Sequence, residues 1–300
     1  METLVKYPEQ EFFAIVTGIN VNNLSIEEFS NLRDVVYTYG VTVIKDQPLN
    51  DEQQVSFSSR FGKLEKPLQM DNSEGLLPEI TRISNVGMDN KLLPVESEKV
   101  VYDRGNNFWH TDSSFKKIPA KLSILSGREI PDEGGGTEFA DARFALDTWQ
   151  KFPRKYTLKK IKNAICEHSI VYSRMQNTGN IFDKKFKKDM PFVKQRLIRT
   201  HPYTKRNAFY AGSHCSHIVD WSLKDSRDLI KEINGWIVAA GKIAKHYWSN
   251  NELVIWDNRR VLHRGTGFDE RKFRRIMHRT TVAGDLPSTE EKFELNVNLN

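Results

Sequence analysis

The sequence predicts a mainly β chain with flanking helices, built around a jelly-roll-like double sheet. Three observations carry this expectation. Short runs of β-branched and aromatic residues recur between turn-forming residues. Helical periodicity is concentrated before and beside those runs. No internal repeat or low-complexity linker divides the 300 residues, so the whole chain, 1–300, reads as one domain with a large core.

Residues 10–22 hold Phe12, Phe13, Ile15, Val16 and Val21 around Gly18 and read as strands. Ser25 ahead of Glu27 and Glu28 marks a helix start, Leu32, Val35, Val36 and Tyr39 give its apolar face, and Gly40 ends it. A buried strand over 41–44 follows, then a helix capped by Asn50 or Asp51, carrying Val55, Phe57 and Phe61 and closed by Gly62. Residues 80–86 read as a strand and 87–107 as a long polar segment of the kind that covers a site. The spacing predicts strand–turn–strand over 108–126. The glycines of 132–137 form a tight turn that brings Thr137 toward a ligand; with no Walker lysine and no helix directly after, they are not a phosphate loop. A strand starts at 138–140. Helices are expected over 141–162 and 224–247, and strands over 164–172, 207–212 and 251–256. A basic segment, 173–191, and a loose polar tail from 284 complete the chain.

Composition narrows the class. Charged residues are 28% and hydrophobic ones 38%, ordinary for a soluble globular protein. No apolar run reaches the length of a membrane span, and the first residues resemble neither a secretory signal nor a transit peptide. Cys166 and Cys215 are the only cysteines, too few for a disulfide framework, so the expected location is a reducing compartment, the cytoplasm. The net charge is +6, and residues 151–206 hold 16 Lys and Arg against 3 Asp and Glu. This excess reads as a solvated basic surface or as a funnel for a small anionic substrate. No recognition helix or zinc finger supports a nucleic-acid groove, and a homo-oligomer stays open.

The chemistry gathers at Trp109-His110-Thr111-Asp112. In an extended segment, side chains two apart point the same way, so the His110 imidazole and the Asp112 carboxylate face one point. His263, far along the chain, offers a second imidazole. Two histidines and one carboxylate on one face of a metal leave the other face open, the set that suits non-haem Fe(II) oxygenases. A His-x-Asp spacing also arises by chance, and a lone His110 reads as a hydrogen-bonded core histidine. Read as a strand, 274–280 places Arg275 and Arg279 on one face. Two inward guanidiniums need anions, either a ligand's or those of structural salt bridges. His214 and His217 flank Cys215, but their odd spacing puts them on opposite faces of a strand, against a second metal. His201 is expected to pack near the pocket, and His278 to face away from Arg275 and Arg279.

Taken in order, these blocks resemble the TauD/TfdA family of Fe(II)/2-oxoglutarate-dependent dioxygenases, and more closely its 2,4-dichlorophenoxyacetate dioxygenase-like branch. The likeness runs from Leu32 to about Thr281. It includes Tyr39-Gly-Val-Thr-Val-Ile44, Arg60-Phe-Gly-Lys-Leu-Glu65, Phe108-Trp-His-Thr-Asp-Ser-Ser-Phe115, Gly135-Gly-Thr-Glu-Phe139, Arg199-Thr-His201, Gly212-Ser-His214 and residues 256–281. The resemblance implies a double-stranded β-helix (jelly-roll, cupin-like) core, with Fe(II), 2-oxoglutarate and O2 as cofactor and cosubstrates. It implies that His110, Asp112 and His263 bind iron, that Arg275 pairs with the distal carboxylate of 2-oxoglutarate, and that Thr137 hydrogen-bonds the cosubstrate. It assigns Arg279 to the acidic group of the primary substrate and Asn106 to the pocket. Succinate and CO2 would be released, and the substrate hydroxylated, desaturated or closed into a ring, as in algal kainoid synthases. Segments 87–107 and 173–191 are the candidate lids. Arg174 matches an arginine of the same branch, and with the lysines of 181–188 it suggests a second anionic group on a di- or tricarboxylate or an amino-acid-derived acid. Two rival readings stay open at this point: a cupin-like metal protein that binds a small acid without O2 chemistry, and a nucleic-acid demethylase using the basic surface.

Overall fold

The strand Leu253–Asp257 is buried along its whole length. Leu253 and Ile255 pack toward helices on one side, while Val254 and Trp256 face the other sheet. A strand covered on both faces reads as a continuous apolar run, which is why Leu-Val-Ile-Trp was legible in the sequence. In the computed structural model, which describes residues 1–7, 12–68, 75–179, 182–240 and 243–297, this strand is the centre of a seven-stranded sheet. The order is Glu2–Val5, Phe13–Thr17, Val41–Ile44, Leu253–Asp257, Ala120–Glu129, Ile276–Ala283 and Thr81–Ser84. All neighbours are antiparallel except Phe13–Thr17 with Val41–Ile44. A smaller sheet, Ala244–His246, Thr137–Asp141 and Val261–Gly265, packs against it through Phe139, Val261 and Ala244 on Val43, Leu125 and Met277. The two sheets form the jelly-roll core.

Helices cover the outer faces. Ile26–Tyr39 starts in a capping box between Ser25 and Glu28 and ends at Gly40 with φ +82°. A side chain at Gly40 would strike the Arg260 guanidinium. Its buried Phe29, Leu32 and Val36 lie on Val16, Ile44 and Ile255. Asp51–Ser59 is capped by Asn50. On the other side, Leu223–Ala240 packs with Ala142–Asp147 over Ala140, Leu262 and Phe209.

Several expectations are corrected. Over 108–126 there is no first strand: His110 makes a single antiparallel bridge with His263, 112–119 is turn and irregular backbone with Ser113 at φ +53°, and the strand begins at Ala120. The helix expected over 141–162 breaks into Ala142–Asp147, a 3₁₀ turn Trp149–Lys151 and Leu158–Ile161; Phe152 is extended, as the residue before Pro153 favours. The strand of 164–172 stops at His168, and Ser169 caps a helix, Ile170–Asn177. The strand of 207–212 is only Asn207–Phe209. The helix of 224–247 ends at Ala240, and Ala244–His246 is a strand. Residues 10 and 11 of the first expected strands lie outside the described residues, and Val21–Asn23 is a 3₁₀ turn. The strand expected over 274–280 begins at Ile276 and shifts register between Ile276 and Met277. The tail is not loose: Ser288 is fully buried and Phe293, Leu295 and Val297 pack on the core.

Candidate functional site

The bridge between His110 and His263 is closed by two backbone bonds, of 3.0 and 2.8 Å. It fastens the 108–119 loop to the smaller sheet and brings the two imidazoles together, ring centroids 4.2 Å apart and planes tilted by 43°. Asp112 follows in the turn, not on a strand, and is aimed by its neighbours. Its backbone N–H donates to Asn258 Oδ1 at 3.1 Å, and the Thr111 hydroxyl donates to the Asn258 carbonyl at 2.6 Å. Ser123, on the facing sheet, donates its hydroxyl to Asp112 Oδ2 at 2.6 Å and accepts from Asn258 Nδ2 at 2.9 Å. Trp256 Nε1–H donates to Asn258 Oδ1 at 3.1 Å.

The result is a buried cluster of three donors whose ligand atoms all lie within 4.8 Å of one another. His110 Nε2 is 3.7 Å from Asp112 Oδ1, and His263 Nε2 is 3.6 Å from Asp112 Oδ2. His110 Nδ1 lies 2.7 Å from the Phe108 carbonyl. A carbonyl only accepts, so Nδ1 carries the proton and Nε2 keeps its lone pair for the cluster. Burial pushes both imidazoles down in pKa, toward the neutral form a metal requires. Burial pushes Asp112 up, but the Arg279 charge, the imidazoles and the Ser123 bond outweigh it and hold the carboxyl well below its usual range. Two neutral nitrogens and one carboxylate fit an Fe(II)-type ion with positions left over for other ligands.

Two cavities meet at this cluster. The larger, about 830 Å³, is lined by His110, His263, Thr137, Trp256, Arg275 and Arg279 among others. The smaller, about 580 Å³, is lined by His110, Asp112, Asn106, Arg174, His214 and Arg279 among others. Arg279 Nη1 donates to Asp112 Oδ1 at 2.8 Å, so one of the two arginines expected to await an anion already touches the cluster's own carboxylate. Arg275 is half-buried, held by Nε–H to the Gly135 carbonyl at 3.2 Å and by its backbone N–H to Asn85 Oδ1 at 2.8 Å. Burial, partly offset by Asp103, lowers its pKa to about 10; it stays charged at neutral pH. Gly134 and Gly135, at φ +76° and +63°, carry the turn past Arg275, and a Cβ at Gly135 would sit 3.3 Å from that side chain. Thr137 opens the next strand, and its hydroxyl accepts from Trp248 Nε1 at 3.0 Å. That bond leaves the hydroxyl hydrogen for a ligand.

All eight residues singled out in the sequence line one or both cavities. The other histidines divide. His278 turns to the outer helices and bonds Asp51 at 2.7 Å, away from Arg279 as expected. His217 pairs with Glu167 at 3.4 Å, apart from buried His214. His201 does not line either cavity: its Nε2 donates to Asp257 Oδ2 at 2.8 Å, in a buried network with Arg259. Sequence reasoning missed Ser123 and Asn258. The available signals were a lone serine inside the buried run Leu122-Ser-Ile-Leu and an asparagine directly after Trp256-Asp257.

Residues 5–281 match the family described as "Taurine catabolism dioxygenase TauD, TfdA family". The chain is 33% identical over 262 residues to the alpha-ketoglutarate-dependent 2,4-dichlorophenoxyacetate dioxygenase of Burkholderia sp. (strain RASC), covering 86% of this chain and 87% of that protein. It is 30% identical over 290 residues to the (S)-phenoxypropionate/alpha-ketoglutarate-dioxygenase of Sphingobium herbicidovorans, covering 93% and 94%. The crystal structure of AAD-2 in complex with Mn(II) and N-oxalylglycine superposes with a TM-score of 0.84 at 35% identity, over 94% of this chain and 97% of that one.

Proposed function

The chain belongs to the TauD/TfdA family and is a 2-oxoglutarate-dependent non-haem iron dioxygenase; on that premise we propose that it oxidises a C–H bond of a small carboxylate-bearing substrate, releasing succinate and CO2. The single observation that carries the proposal is the position of the His110, Asp112 and His263 cluster at the seam of two cavities, each with its own arginine lining.

In this reading the three side chains would hold Fe(II), which when bound would let O2 be reduced by two electrons from the decarboxylating 2-oxoglutarate and two from the substrate C–H bond. The larger cavity takes 2-oxoglutarate. The Arg275 guanidinium receives its distal carboxylate as a fork, and the Thr137 hydroxyl, already accepting from Trp248, donates to the same end. The smaller cavity takes the primary substrate, with Arg279 at its acidic group and Asn106 and Arg174 on the wall. Placement is the protein's contribution: the target carbon is held beside the metal while water is kept out. Helix Glu98–Asp103 and turn Arg104–Asn107, within 87–107, give Val100, Asp103 and Asn106 to the walls. Helix Ile170–Asn177 gives Arg174, within 173–191. These parts of 87–107 and 173–191 act as the cover; residues 180 and 181 lie outside the described residues. The lysines of helix Lys184–Asp189 line neither cavity, so their role in this reading is long-range attraction of an acid.

Hydroxylation is the outcome assigned, with desaturation or ring closure as the alternatives that the same placement permits. The test is Fe(II)- and O2-dependent succinate release, screened over carboxylic acids and their neutral amides. Stimulation by an acid and not by its amide is the expected result. Stimulation only by uncharged compounds or by methylated oligonucleotides overturns the proposal.

A further inference from the structure

Asn85 directly follows the edge strand Thr81–Ser84 and is buried. Where that strand pairs with Ile276–Ala283, Ser84 stands opposite Ile276, so Asn85 stands opposite Arg275, one step past the end of the ladder. Arg275 itself lies outside the strand, and beside it the pairing with Ala120–Glu129 shifts register between Ile276 and Met277. A residue at such a place is poorly fixed by the ladder. The Asn85 side chain does the fixing instead. Its Oδ1 accepts from the Arg275 backbone N–H at 2.8 Å, and its Nδ2 donates to the Phe273 carbonyl at 2.8 Å and the Glu270 carbonyl at 3.0 Å. All three bonds go to residues 270–275. Asn85 is held in turn, because its own carbonyl accepts from the Leu93 N–H at 2.8 Å.

The partners dictate an amide. One acceptor must meet an N–H while two donors meet carbonyls, which a carboxylate or a lone hydroxyl of this size cannot do. A flipped amide would set oxygen against two carbonyls, so the orientation follows from the same three bonds. Both N–H bonds of Asn85 are used, and none is left to donate to a bound carboxylate. Arg275, by contrast, lines the larger cavity and is steadied from the other side by Nε–H to the Gly135 carbonyl at 3.2 Å. A fork that receives a carboxylate through two bonds must be aimed, and a misplacement of about 1 Å can cost about 100-fold.

We infer that Asn85 is a positioning residue for the cosubstrate: it sets the backbone from which Arg275 reaches the distal carboxylate, and it acts through Arg275 without touching the 2-oxo acid. The inference rests on the reading above that Arg275 receives that carboxylate.

The test uses the full chain loaded with Mn(II) and two ligands, 2-oxoglutarate and 2-oxopentanoate, which has a methyl group in place of the distal carboxylate. Affinities are taken from the dependence of the thermal midpoint on ligand concentration. The wild type is expected to favour 2-oxoglutarate. Asn85→Ala is expected to weaken 2-oxoglutarate about 10-fold and to bind 2-oxopentanoate as the wild type does. In Arg275→Ala, adding Asn85→Ala is expected to cost 2-oxoglutarate nothing further, since the two residues act as one unit. Asn85→Ser, too short to span its partners, is expected to behave as Asn85→Ala and supplies the same comparison should the alanine variant not fold. The inference is overturned if both ligands weaken equally, which would make Asn85 a structural residue only. It is overturned equally if 2-oxoglutarate affinity is unchanged, or if the 10-fold loss persists on top of Arg275→Ala. Equal binding of the two ligands by the wild type would instead bring down the reading of Arg275, and the inference with it.

Discussion

Asp112 accepts from Ser123, approaches both imidazoles and pairs with Arg279, all while buried. Ser123 and Arg279, neither of them among the three donors, therefore help to set its direction. Removing the brace should loosen the ligand without removing it: Ser123→Ala or Asn258→Ala is expected to weaken Mn(II) binding about 10- to 100-fold, the usual cost of a lost outer-shell bond. Titration calorimetry that finds wild-type affinity in both variants contradicts the bracing role. Arg275 is tested separately. Truncating one partner of a buried charge pair costs about 2 kcal/mol or more, so Arg275→Ala should raise the 2-oxoglutarate concentration needed for half-maximal turnover at least ~30-fold. An unchanged requirement contradicts the assignment. At this scale the ligands and arginines were legible because they sit in short blocks of unusual composition. The contact of Arg279 with Asp112 was not, since it joins positions 167 residues apart that only the sheet register brings together.

At the scale of elements, the tail is the clearest case of tertiary packing overriding composition. Residues after 284 are polar and carry no periodic pattern, so nothing local predicts order. Yet Glu291 closes an ion pair with buried Arg199, the Thr200 hydroxyl donates to the Glu294 carbonyl at 2.9 Å, and Asn207 Nδ2 donates to the same carbonyl at 2.7 Å. Ending the chain at Leu286 strands Arg199 without its carboxylate, which should cost about 3 kcal/mol or more; a urea midpoint equal to that of the full chain would show the tail to be dispensable. The reverse case is Ile26–Tyr39, whose serine cap, acidic first turn, apolar stripe and closing glycine agree with its fold. The elements least legible were the turn at 112–119 and the helix Ile170–Asn177. The first depends on the His110–His263 bridge and the second on a serine cap following a strand, and neither leaves a periodic signature.

For the whole molecule, the buried histidines away from the cluster predict how the fold responds to acid. Burial and the Arg199 charge lower His168 to about 3, and burial and Arg259 lower His201 to about 4. In both, the folded pKa lies below the unfolded value near 6.5, so the unfolded chain binds more protons between the two. Stability is then full above about pH 6.5 and falls as pH drops toward 4 and 3. Urea midpoints should decline steadily from pH 7 to 4.5, and a flat profile contradicts the neutral, buried state of these rings. Among the described residues no helix is long and apolar enough to cross a membrane.

Three side chains from two distant parts of the chain, His110, Asp112 and His263, are placed to share one ion. Anaerobic equilibrium dialysis against Fe(II) tests this most directly, comparing the wild type with His263→Ala, whose fold is checked by circular dichroism. One ion per chain in the wild type, and a folded variant that has lost it, is the predicted result. A folded His263→Ala that still binds Fe(II) as tightly as the wild type would contradict it.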